Sequence, residues 1–266
     1  MAMTIMLIHG AWLNSRSFEG FKARYEAAGH TVVAPDWPYD DRSPDELRAF
    51  PDPKLARIGQ VDLFDYYEAE IRKLPDAPIL IGHSLGGVIV QHLLDRGLGA
   101  VGVAIDPAPT PGVPLGPHAI VSALPAFLTP GSWRKSLTMS RKHFRTRFAS
   151  SVKPEDADAL YDRYIVPTPG KVYWDGVTGA SGKINWDNPK RAPLLLIGGE
   201  KDLIADASMT RAIYAKQKRA PSTTELKVFP GRTHWTGIEP GWEAVADYAL
   251  DWALAHRREA PVAAAA

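Results

Sequence analysis

No cysteine occurs among the 266 residues, which excludes disulfides, thiolate metal sites and a cysteine nucleophile together. Long apolar runs are missing as well: nothing approaches the ~20 residues that a membrane-spanning helix needs, so no membrane span is expected. Nor is there an excess of either charge. The chain has 31 Lys and Arg against 30 Asp and Glu, a formal net charge of +1, and no bulk field favours nucleic acid. The opening M-A-M-T-I-M-L-I-H-G has no charged leader before its short apolar stretch. It reads as a first strand rather than a signal peptide, and a cytoplasmic location is the expectation. What is present is an ordinary globular composition, 45% hydrophobic and 23% charged, long enough to bury one sizeable α/β core.

The most informative stretch is A-P-I-L-I-G-H-S-L-G-G, residues 77–87. It reads as a buried strand over 78–81, a turn over Gly82, His83, Ser84, Leu85 and Gly86, then an apolar helix over 88–94. A G-x-S-x-G turn between a strand and a helix puts its serine on a strained bend with the hydroxyl outward. The glycines answer a steric need, because the bend leaves no room for a Cβ on either side. The helix that starts there directs free N–H groups at whatever the hydroxyl attacks.

Further continuous apolar runs, over 4–8, 31–34, 100–105 and 194–197, suit strands buried on both faces. Residues 225–229 alternate, as a half-covered edge strand does. Helical spacing of apolar residues marks 17–28, 55–74 and 241–256, and Asp206 is a plausible cap of another helix. The charged, proline-rich stretch 39–53 reads as a loop. Strands alternating with helices imply a doubly wound, mostly parallel sheet of roughly six strands. Gly10, Ser84, Asp106, Asp202 and His234 all fall just past strand ends, where such sheets gather their chemistry.

One region breaks the alternation. After Asp106 no convincing strand appears until residue 192. Helical patches at 117–128, 137–148 and 154–164 are followed instead by a Gly-rich loop with Trp174 and Trp186. So long an excursion predicts a helical cap over 107–191, inserted into a core of 1–106 and 192–258. The Ala-rich tail 259–266 is expected to be disordered.

The order H-G-A-W, G-H-S-L-G-G, G-G-E-K-D and G-R-T-H resembles the α/β-hydrolase superfamily, specifically serine esterase-like members with a helical cap. The resemblance implies that Ser84 is a nucleophile with His234 as its base. Asp202 matches the superfamily's commonest position for the acid, and Asp106, past the strand after the nucleophile, is the alternative. Backbone N–H groups of Ala11 and Leu85 would form the oxyanion hole. His9 and His83, inside tight turns, read as structural. Trp12, Leu124, Phe127, Trp133 and Phe144 are the candidates for a substrate pocket. The basic run Arg141, Lys142, Arg145 and Arg147 reads as the solvated face of a helix.

These readings lead to an expected serine carboxylic-ester hydrolase acting on a small-molecule ester. Neither cofactor nor metal is required. The same residues also fit a perhydrolase, lactonase or amidase, and a small-molecule receptor with vestigial hydrolysis is a second class.

Overall fold

Alternation of inward and outward side chains decides how the strands are used. In the computed structural model, which describes residues 2–258, six strands form one fully parallel sheet: β1 (Thr4–Ile8), β2 (Thr31–Val33), β3 (Ile79–His83), β4 (Val101–Ile105), β5 (Leu194–Gly199) and β6 (Thr224–Phe229). Their spatial order is β2-β1-β3-β4-β5-β6. Ile5 and Leu7 point to one face, where they pack with Phe21, Tyr25, Val245 and Trp252. Those four residues come from α1 (Glu19–Ala27) and α9 (Trp242–His256). Met6 and Ile8 point to the other face, against α3 (Gln60–Ile71), α4 (Leu85–Asp95) and α8 (Ala207–Gln217). A sheet covered on both sides needs the continuous apolar runs that the sequence displays. The last strand lies at the sheet edge and is half-buried along its whole length, without the clean alternation expected of it.

Residues 39–53 are not a simple loop. They contain α2 (Pro44–Ala49), started by Ser43, whose hydroxyl accepts from the Glu46 N–H while the Glu46 carboxylate accepts from the Ser43 N–H. Reciprocal capping satisfies two amides that a short helix would otherwise leave bare, and Pro44 at the first helical position needs no partner.

The chain between β4 and β5 holds α5 (Pro117–Leu128), α6 (Pro154–Tyr164) and α7 (Lys171–Thr178). Helix α7 replaces the expected Gly-rich loop around Trp174; the Trp174 indole donates to Ser132 Oγ at 2.8 Å. The patch at 137–148 is not one helix either. It breaks into an extended pair Ser136–Leu137, a short turn Arg141–His143 and a π-helical turn Phe144–Phe148. Ser136–Leu137 pairs antiparallel with Thr168–Pro169, a small ribbon that the sequence reading lacked. Two residues are too few to show a strand period. Among the described residues no helix is long and apolar enough to cross a membrane. The expected disordered tail lies outside the described residues.

The bend after β3 is wedged against the end of β1. A Cβ on Gly86 would stand 2.0 Å from the Ile8 carbonyl oxygen and 2.8 Å from that of His9. Both obstacles are backbone and cannot swing away. Gly86→Ala is therefore expected to cost about 3 kcal/mol of stability, read as a lower urea midpoint at unchanged slope. An unshifted midpoint would contradict the contact.

Candidate active site

Strand β3 ends at His83 and α4 begins at Leu85, so a single residue makes the reversal. That residue, Ser84, has φ 55° and ψ −117°, a conformation that costs a non-glycine residue about 1–3 kcal/mol. The end of β4 holds it there: the Ser84 N–H donates to the Ile105 carbonyl at 2.9 Å, and the Ala108 N–H donates to the Ser84 carbonyl at 3.1 Å. Trp12 (φ 68°) and Asp106 (φ 45°), just past β1 and β4, share this left-handed backbone. Strain is concentrated at the carboxyl edge of the sheet.

His234, on the loop between β6 and α9, is fully buried. Its Nδ1 lies 2.7 Å from Asp202 Oδ2. The carboxylate can only accept, so the proton sits on Nδ1 and Nε2 presents a lone pair. Among the described residues Nε2 has no hydrogen-bond partner. Asp202 is itself clamped, its Oδ1 accepting from the N–H groups of Ile204 at 2.6 Å and Ala205 at 2.9 Å. His83 supports the imidazole from behind, donating its Nε2–H to the His234 carbonyl at 2.9 Å. Phe148 meets the His234 ring edge-on at a centroid distance of 5.0 Å.

These environments separate the protonation states. Burial alone would lower the His234 pKa, but the charge and hydrogen bond of Asp202, with a contribution from Asp106, outweigh it and raise the pKa above its usual value. Asp106, fully buried and close to the Asp202 charge, is pushed up to about 8. Its Oδ1 accepts from the Gly199 N–H at 2.6 Å, so it ties the end of β5 in place instead of contacting the imidazole ring. Burial holds His83 well below its usual value and lowers His9 to about 4. His9 bridges the Gly10 carbonyl and the Trp37 N–H, and its ring stacks on Trp37. His83, Asp106 and His234 offer ligand atoms within 4.8 Å of one another. Their hydrogen bonds run outside the trio's side chains, to the His234 carbonyl, the Gly199 N–H and Asp202.

The loop after β1 closes over the bend. A Cβ on Gly10 would stand 2.8 Å from Ser84 Cβ and 3.3 Å from the Leu85 nitrogen, an approach that only glycine permits. Ala11, Ser84 and Leu85 thereby share one wall of a cavity of about 410 Å³. Neither the Ala11 nor the Leu85 N–H has an acceptor among the described residues.

Of the five pocket candidates, Trp12 and Phe127 line this cavity, and Leu124, Trp133 and Phe144 do not. Helix α5 turns Ala119, Ser122, Ala123 and Phe127 inward, which leaves Leu124 on the outer face, 39% exposed. Trp133 is 47% exposed and packs edge-on against Trp174. Phe144 is fully buried in a separate cluster with Phe148, Tyr161 and Trp235. Around Arg141 the basic run does face outward, with Arg141 paired to Asp158 and Asp162. Sequence reasoning missed Gln60, Thr110 and Tyr173, all in the cavity wall. Thr110 had a signal, its place five residues past the end of β4; Gln60 at the start of a helix had none.

A fully parallel sheet, a serine forced onto a left-handed bend between strand and helix, and a buried His–Asp pair on the two loops that follow β5 and β6 define the α/β-hydrolase fold. The chain belongs to the alpha/beta hydrolase family, whose model matches residues 5–248. It is similar to the monoacylglycerol lipase of Mycolicibacterium smegmatis (strain ATCC 700084 / mc(2)155), at 25% identity over 269 residues covering 95% of this chain and 88% of the lipase. Its fold is similar to the crystal structure of Paleococcus ferrophilus monoacylglycerol lipase, with a TM-score of 0.67, 21% identity and coverage of 95% of this chain and 94% of that one. An Arabidopsis methylesterase superposes with a TM-score of 0.67 at 17% identity, covering 95% of this chain and 99% of its own.

Proposed function

We propose that this protein is a serine hydrolase that cleaves carboxylic esters of small, largely apolar molecules through an acyl-enzyme on Ser84. One observation carries the reading. The strained Ser84 opens on an apolar cavity, while the buried His234, oriented by Asp202 at 2.7 Å, keeps its Nε2 without a competing partner. In the first step Ser84 Oγ attacks the ester carbonyl and its proton passes to His234 Nε2. The oxyanion that forms is held by the Ala11 and Leu85 amides, each worth about 3 kcal/mol of transition-state stabilisation. Collapse expels the alcohol, which takes the proton from Nε2. Water then repeats the sequence on the acyl group and frees Ser84. The relatives named as lipases and a methylesterase support ester chemistry in general. The helices of 107–191, which supply Phe127 and Tyr173 to the wall, act in this reading as the cap over the substrate.

Turnover of an ester series, with lactones and aryl amides alongside and Ser84→Ala protein as the blank, tests the proposal. Multiple turnovers per molecule on esters support it. Single-turnover labelling with retained product would favour a receptor.

The pH profile follows from the charge on His234. The base must be neutral, and its pKa is raised by Asp202. As pH falls through that raised value the imidazole gains a proton and kcat/KM falls with it. The acidic limb is expected to have its midpoint above the ordinary histidine value of ~6.5. A rate that stays flat from pH 8 to pH ~6 would contradict this role for His234.

A further inference from the structure

Glu239, on the loop between β6 and α9, is a buried acid that turns back on the part of that loop carrying the catalytic imidazole. The residue is 3% exposed. Its Oε1 accepts from the Thr233 N–H at 3.0 Å and its Oε2 from the Thr233 hydroxyl at 2.9 Å. Thr233 Oγ1 in turn accepts from the Trp235 N–H at 3.2 Å, and the Glu239 N–H donates to the Trp235 carbonyl at 2.9 Å. His234 thus stands between two residues that Glu239 ties down. On the other side the Lys201 N–H donates to the Arg232 carbonyl at 2.8 Å, so the approach to Thr233 is pinned against the loop that carries Asp202. Ser151 Oγ gives Glu239 Oε2 a further donor. Ser151 belongs to the 107–191 segment and follows Phe148, whose ring meets His234 edge-on.

All of these partners donate, and a carboxylate is the acceptor that such a set requires. A buried acid is costly unless its oxygens are satisfied, and here they are spent on the residue just before the imidazole. The His234 ring has little else to hold it. Among the described residues its one side-chain hydrogen bond is the 2.7 Å contact with Asp202, and Nε2 has no partner. Whether that contact is kept is therefore decided by the loop backbone. A misplacement of about 1 Å at a catalytic group can cost about 100-fold in rate.

We propose that Glu239 is a positioning residue for His234, holding the imidazole at Asp202 by way of Thr233, with Ser151 completing its bonding. The role rests on His234 being the base of the hydrolase reading, and the test separates the two. The ionisable groups facing the ring are Asp202, Asp106 and His83, and Arg232 lies 3.8 Å from Glu239; the variants leave all four in place. The titration of His234 is read by NMR of the imidazole nitrogens in protein without substrate, the resonance being assigned by its loss in His234→Ala protein. In Glu239→Ala the Asp202 contact loosens and raises the imidazole less, so His234 is expected to titrate about one pH unit lower. On p-nitrophenyl butanoate kcat is expected to fall at least about tenfold with KM within about twofold. Glu239→Gln keeps an oxygen for the Thr233 N–H, and both hydroxyls can turn to accept from its NH₂. It is expected to restore the titration and most of kcat although the charge is gone. Thr233→Val removes only the hydroxyl donor and is expected to move the titration in the same direction, which decides the matter if Glu239→Ala fails to fold. An unmoved His234 titration in the folded variants would overturn the proposal. A Glu239→Gln titration as low as that of Glu239→Ala would also overturn it, because lost charge and not lost position would then be the cause. A titration that moves in a protein that turns over no ester would remove the hydrolase reading alone, and ester turnover with an unmoved titration would remove the positioning role alone.

Discussion

Ser84→Ala protein is expected to turn over p-nitrophenyl butanoate about 10⁶-fold more slowly than the unmodified chain, judged by nucleophile removal in serine hydrolases at large. The size of the effect follows from the geometry. Ser84 lines the cavity beside Ala11 and Leu85, whose N–H groups have no acceptor among the described residues. Without it His234 has no hydroxyl to deprotonate, and what survives is binding and amide polarisation. Folding does not confound the result, because alanine at φ 55° is strained much as serine is. His234→Ala should fall nearly as far, and the double variant scarcely further, since the two act as a unit. Steady-state kcat in purified variants reads all three. A Ser84→Ala rate within tenfold of the unmodified protein would be incompatible with a covalent mechanism.

The two buried acids are expected to respond very differently. Asp202→Asn should lower kcat by about 10⁴-fold. An asparagine NH₂ facing Nδ1 cannot accept its proton, so the imidazole shifts its proton to Nε2 and loses the lone pair that takes the serine proton. Nδ1 touches Asp202 at 2.7 Å, and the nearby N–H groups of Ile204 and Ala205 would hold the Asn oxygen away from it. Asp106→Asn should change kcat by less than about threefold. With its pKa pushed up to about 8, Asp106 is largely protonated near neutrality, and asparagine reproduces a protonated carboxyl: one oxygen to accept from the Gly199 N–H and one polar group beside it. Equal losses in the two variants would show that the acids share the role.

The Ser84 bend was legible because its needs are local. Gly82, Gly86 and the helix start are all within five residues, and the backbone obstacles around Gly86 are what the pattern of glycines implies. The sheet was legible for a related reason: strands covered on both faces must be apolar throughout. Helix α2 could also have been read, since Ser43, Pro44 and Glu46 spell a capping box, but the charge and prolines around it outweighed three residues. The choice between Asp202 and Asp106 rests on which loop reaches His234, a tertiary distance that spacing along the chain does not encode. The pocket suffered most. Leu124, Phe127 and Phe144 look alike as apolar residues in helical patches, and only the rotation of α5 and the docking of the Phe144–Phe148 turn on Trp235 send Phe127 to the cavity and the other two elsewhere, while Trp133 packs on Trp174. Gln60 shows the limit from the other side, because a polar residue at a helix start normally meets water and this one is covered by α7.

Titration of the protein with a fluorophosphonate while ester turnover is followed tests the central claim most directly. The account predicts one label per chain, mapped to the peptide containing Ser84, with turnover falling in proportion to occupancy and no label on Ser84→Ala protein. Turnover that persists at full occupancy, or a label seated on any other residue, would contradict it.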